Sequence, residues 1–171
     1  MALLLRTPVL MLALATTALT HAQAKSSAQV KANGETRVTL GSLSHGATVT
    51  VRTHETKAPE STDEFDLQRN MPCTGGRVPC LLTDSLQIAV NGQSILLPYS
   101  AYADLGDMVS LSLQRVGKGY SLTIHGGDAS VAYIAKLRFN RTRVLDRVVA
   151  PGEDSTQPSE RTYYYNPKRF E

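Results

Sequence analysis

Between Leu86 and Leu97 the chain reads Leu-Gln-Ile-Ala-Val-Asn-Gly-Gln-Ser-Ile-Leu-Leu, two alternating runs joined by Asn91-Gly92. Asn-Gly can occupy both positive-φ positions of a type I′ turn at little steric cost, so this pattern predicts a tight antiparallel hairpin. Pairing outward from the turn sets Ile88 opposite Ile95 and Leu86 opposite Leu97, all on one face. Turn chemistry and hydrophobic period therefore agree on one register. A second hairpin runs from Met108 to Ile124 through Gly117-Lys118, where glycine at the first central position suits a II′ turn. It sets Leu113 against Leu122 and Leu111 against Ile124.

The period of two recurs along the chain. Thr36 to Leu40 and Ala47 to Thr53 flank a turn at Gly41 to Gly46, and Phe65 with Leu67 marks a short strand. Val131 to Phe139 and Arg143 to Val149 join through Asn140-Arg-Thr142, which also matches the N-glycosylation pattern. Tyr133, Ala135, Leu137 and Phe139 make one good face of that pair, but the returning strand has apolar residues at both parities, which leaves its register open. Arg161 to Asn166 reads as a last strand. Only Tyr99 to Leu105 reads as helical, one or two turns after Pro98 with Ser100 as N-cap. The expected fold is all-β, an antiparallel sandwich or barrel of about eight or nine short strands with one short helix.

Composition sets the class. With 171 residues, 42% hydrophobic and 19% charged, the chain can bury one ordinary core, which excludes disorder, collagen and coiled coil. Its 18 Lys and Arg outnumber 15 Asp and Glu but lie scattered. No basic run is dense enough to track phosphates, so nucleic acid is not an expected partner.

The first 24 residues carry Arg6, an apolar stretch from Pro8 to Leu19, and small residues ending in Ala22-Gln23-Ala24. These are the three parts of a secretory signal peptide, with cleavage after Ala24 or after Ala22. The apolar stretch is too short to span a bilayer and no later segment approaches 18 apolar residues, so stable membrane insertion is not expected. The organisation predicted is a signal peptide over 1–24, a polar flexible arm over 25–35 and a single β domain over 36–171, in a periplasmic or secreted protein. Cys73 and Cys80 enclose Thr-Gly-Gly-Arg-Val-Pro, a turn that lets the sulfurs meet, and in an oxidising compartment a disulfide is expected. A redox pair or half of a metal site is the alternative reading; the spacing of the pair and the lack of a nearby His speak against it.

Sites for chemistry are few. No His spacing suits a metal, no phosphate or dinucleotide loop appears, and no G-x-S-x-G is present, so no metal and no cofactor is expected. His125-Gly-Gly-Asp128 is the most suggestive grouping, because glycines let backbone approach a ligand while the flanking groups exchange protons. Asp104 or Asp107 could supply a second carboxylate. His45 and His54 read as solvated. Of the consecutive Tyr163, Tyr164 and Tyr165, the middle one must point opposite to the others in a strand. One face of that strand then shows tyrosine to solvent, with Tyr164 a candidate binding residue; the alternative is an edge strand that packs two tyrosines inward with their hydroxyls at the rim. Tyrosine exposed beside Arg161 has the composition of a recognition surface.

Leu97-Pro-Tyr-Ser-Ala-Tyr-Ala-Asp-Leu-Gly-Asp107, Leu122 to Tyr133 and Arg161-Thr-Tyr-Tyr-Tyr165 together resemble a group of small exported β-rich proteins of Gram-negative bacteria without an assigned activity. The resemblance spans residues 85–165 and implies a location. More loosely, the chain is similar to periplasmic lysozyme inhibitors of the small β-barrel type, which set a Ser, a Tyr and a later Lys against catalytic carboxylates. That similarity implies roles for Ser130, Tyr133 and Lys136; Val131 stands where the inhibitors have Gly, and their Trp has no counterpart. The functional expectation is an exported, non-enzymatic binding protein that recognises another protein, as an inhibitor or immunity protein does. The alternatives are a small periplasmic hydrolase built on His125 with a nearby Asp, and a structural envelope protein.

Overall fold

A computed structural model describes residues 24–56 and 79–165. The leader, the expected strand at Phe65 and Leu67, and Cys73 lie outside the described residues. Ten strands follow in chain order: β1 Lys25–Gln29, β2 Gly34–Gly41, β3 Gly46–Glu55, β4 Leu81–Val90, β5 Gln93–Ser94, β6 Met108–Val116, β7 Gly119–Gly126, β8 Tyr133–Phe139, β9 Val144–Pro151 and β10 Glu160–Tyr163. They form two antiparallel sheets, one ordered β1-β6-β7-β8-β9-β10 and the other β2-β3-β4-β5. The fold is sandwich-like and no sheet closes into a barrel.

The hairpins form where turn chemistry allows. Asn91 and Gly92 both have positive φ, 52° and 78°, as the I′ turn requires; Gly117 has φ 56° while Lys118 stays negative, as II′ requires. Leu113 pairs with Leu122 and Leu111 with Ile124, and all four are fully buried between the sheets. In the first hairpin the Ile95 N–H donates to the Ile88 carbonyl at 3.0 Å, as the register predicts. The expected Leu86–Leu97 pair does not follow, because β5 ends at Ser94. The chain instead leaves for the other sheet, where Leu96 bridges Arg143 in parallel, exposed at 77%.

A bulge resolves the register left open in β9. Phe139 pairs with Val144 but Arg138 with Asp146, so Leu145 is an inserted residue and the parity of β9 flips after it. Apolar residues at both parities are the sequence trace of that flip. Asn140 caps the connecting turn, its Oδ1 accepting from the Thr142 and Arg143 amides.

Two expectations need correction. Residues 25–35 are not an arm: Lys25–Gln29 pairs along β6 from Gln114 to Ser110, and Gly34–Glu35 already belong to β2. The residues are polar because an edge strand solvates one face; Ala28 and Val30 supply the apolar contacts on the other. The helix after Pro98 is only a 3-10 turn, Tyr99–Ala101, with Pro98 itself at the N-cap. Ser100 falls inside the turn and makes no side-chain cap. A second 3-10 turn, Ala129–Val131, precedes β8. No described helix is long and apolar enough to cross a membrane.

Candidate functional site

The inhibitor-like trio does not assemble on one surface. Ser130 is exposed in the 3-10 turn before β8. Tyr133 begins β8 with its phenol turned inward, its hydroxyl donating to the Gly106 carbonyl at 2.6 Å. Burial, reinforced by the charges of Asp104 and Asp107, pushes that phenol well above the usual tyrosine range. Lys136, three residues on, stands exposed on the opposite face of the strand. A tyrosine committed to holding a loop cannot share a contact with that lysine.

His125 and Asp128 also part. His125 is exposed on the outer face of β7, whereas Asp128 lines an open cleft of about 470 Å³ with Pro79, Leu81, Asp107, Met108 and Val109. The histidine that meets a carboxylate is His54, whose Nδ1 lies 2.6 Å from Asp84 Oδ1. The pairing of β3 with β4 shifts here, Arg52 opposing Ser85 and Thr53 opposing Thr83, which leaves Asp84 as an extra residue. The bulge re-aims the carboxylate at His54, beside a cleft of about 280 Å³ lined also by Thr83 and Tyr99. As chemistry this is an oriented base. Thr83 Oγ1 already donates to the Leu105 carbonyl, so it is not a ready nucleophile. Among the described residues no group of three or more His, Cys, Asp or Glu could hold a metal.

The β9–β10 end of the six-stranded sheet carries the more informative arrangement. Arg147 points inward from β9 and is 3% exposed, its guanidinium bonded to Glu160 at 2.9 Å and to Asp104. Those two carboxylates stay largely in water, so the buried cation is matched without burying a second charge. Because Thr162 sits opposite Arg147 and Glu160 opposite Val149, β10 turns its even-numbered residues toward the core. Tyr164 follows them inward, packed on the core with its hydroxyl buried near Ser100, and burial raises its pKa.

This parity reverses the expectation for the tyrosines. Tyr164 is the inward residue, and Arg161, Tyr163 and Tyr165 form the outward row, with Tyr163 52% and Tyr165 82% exposed. Glu160 and Thr162 decide it, since their carboxylate and hydroxyl are bonded to each other and Glu160 reaches Arg147. The signal in the sequence that carries the parity is the Glu-x-Thr spacing of Glu160 and Thr162 beside the tyrosine run. Behind the row, Tyr163 lies opposite Asp146, which is 3% exposed and held by the Arg138 guanidinium at 2.8 and 2.9 Å. That bidentate pair gives the outer face a rigid floor, and it raises the Arg138 pKa further. β10 is the last strand of its sheet, so among the described residues its outer backbone edge has no strand partner.

No family model, no curated protein and no solved structure matches this chain.

Proposed function

We propose that the protein is an exported, non-enzymatic binding module that recognises another protein through β10, in the manner of an inhibitor or immunity protein. The observation that carries this reading is the row Arg161, Tyr163, Tyr165, three exposed side chains of one parity, the first two on the terminal strand of the larger sheet and Tyr165 just beyond its end. Arg and Tyr dominate the energetics of protein interfaces because each joins a large contact area to directional hydrogen bonding. The outer edge of β10, which has no strand partner among the described residues, lets a partner add main-chain bonds as well. The leader and a Cys73–Cys80 disulfide belong to the same reading, which places the protein in the periplasm or outside the cell.

The test is capture of envelope and secreted proteins on immobilised wild-type chain and on a Tyr163→Ala/Tyr165→Ala variant, with fractions identified by mass spectrometry. The expected result is one stoichiometric protein retained by the wild type and lost from the variant, each anchor contributing about 2 kcal/mol or thirtyfold. An identical set of proteins on both columns overturns the assignment to β10. A second reading, a small hydrolase, is favoured by the His54–Asp84 pair and moves there from His125. It predicts turnover on a hydrolase substrate panel that His54→Ala abolishes while the fold is kept.

A further inference from the structure

We infer that the end of the sandwich where β2–β3, β4–β5, β6–β7 and β8–β9 turn is a docking surface for an anionic lipid bilayer, used reversibly and without insertion. This goes beyond the β10 reading and does not depend on it. The four turns meet: the Gly46 amide donates to Asn91 Oδ1 at 3.1 Å, and His45, Asn91, Arg115, Lys118, Tyr120 and Arg141 line one cleft of about 440 Å³. Arg143 follows Arg141 in the last turn. The turn segments 41–46, 90–93, 115–120 and 140–143 contain these four cations and no Asp or Glu. The next acid along the chain, Asp146, is already held by Arg138.

Two connections at the far end have the opposite sign, while 30–33 there carries Lys31. Connections 127–132 and 152–159 carry Asp128, Glu153 and Asp154 without a single Lys or Arg. The four described turns thus form a positive end, which faces a negative surface first. Charge alone would suit any polyanion. Leu43 and Val116, however, project from two of the same turns, 73% and 42% exposed, where tight polar turns have no structural use for them. Aliphatic tips set among cations fit a surface that is anionic outside and apolar beneath, which a bilayer is and a nucleic acid or polyphosphate is not. Arg115, lying 5.9 Å over the Tyr120 ring, is the cation held in place for that contact.

The experiment is partition of the chain from Lys25 onward, which carries every described strand and lacks the apolar leader, onto phosphatidylcholine vesicles with and without phosphatidylglycerol. Partition is expected only with the anionic lipid and is expected to fall with salt. Each cation near such a surface contributes about fivefold, so Lys118→Gln/Arg141→Gln should weaken partition roughly 25-fold. Leu43→Ser should weaken it about tenfold while leaving binding of inorganic polyphosphate unchanged. Equal partition onto both vesicles overturns the proposal. So does full partition by the double variant, and so does a Leu43→Ser protein that partitions normally while polyphosphate competes, which would assign the surface to a soluble polyanion.

Discussion

At one end of the sandwich four hairpins close in turns of two to four residues; toward the other, β1–β2 is also short, but the connections β5–β6, β7–β8 and β9–β10 take thirteen, six and eight. The short turns are set by local chemistry, Asn91-Gly92 and Gly117-Lys118 above all, and ask little of their side chains. The long connections are held by polar groups reaching across the molecule. The Asp107 carboxylate accepts from the Leu81 amide at 2.7 Å, the Leu105 carbonyl takes the Thr83 hydroxyl, Tyr133 anchors Gly106, and the Gly152 amide donates to Ala132 at 2.8 Å. The difference teaches where a binding surface can reside. Side chains occupied in holding loops are unavailable to a partner, so the acids and tyrosine that looked functional in sequence are largely structural, and the exposed cations of the turn end are free for recognition.

That contrast can be broken in three ways. The largest effect is expected from Gly46→Ala, because a Cβ there meets the Leu40 and Ser42 carbonyls, both backbone atoms that cannot step aside. A loss of about 3 kcal/mol in urea unfolding is expected; a loss below about 1 would mean the turn end is looser than its hydrogen bonds imply. Next comes Tyr133→Phe, expected to cost about 1–2 kcal/mol by orphaning the Gly106 carbonyl. Its pH dependence sharpens the point. Burial raises the folded phenol's pKa above the ordinary value near 10, so the unfolded state loses its proton first. Stability is thus complete below pH 10 and declines as pH rises past it, and Tyr133→Phe should flatten most of that decline in alkaline melting curves, leaving the smaller part from Tyr164. The smallest effect is expected from Lys118→Gln/Arg141→Gln, within about 0.5 kcal/mol by the same urea assay. A change well beyond that would make these cations part of the scaffold.

Much of the fold was legible in the sequence because its signals are local. The two hairpins of β4–β5 and β6–β7 follow from positive-φ turn residues and a period of two, and the inward faces of β3, β6, β7 and β8 follow from alternation. Where reading failed, a distant contact had overruled a local pattern. Lys25–Gln29 has no apolar period of its own and becomes a strand because the edge of β6 offers backbone partners. Leu97 misses its place opposite Leu86 because the chain crosses between sheets at Leu96. His54 looked solvated because its carboxylate arrives from another strand through a bulge.

The candidate sites were less legible than the fold for the same reason. That tyrosine follows tyrosine at 163–165 is a fact of sequence, but which of them faces outward depends on Glu160 and Thr162 turning toward Arg147, and so on the pairing of β10 with β9. The four turns that meet at the basic end are as widely separated in the chain as His45 and Arg141. Sequence alone determined most of the strands, the tight turns and an all-β class, since these rest on φ preferences and alternation within a few residues. Tertiary structure alone decided that β1 joins β6, that β9 flips parity at Leu145, and that Arg115, Lys118, Arg141 and Arg143 meet at one end of the sandwich. Those outcomes depend on strand order and register, which neighbouring residues cannot specify because the groups that settle them meet only after the sheets have formed.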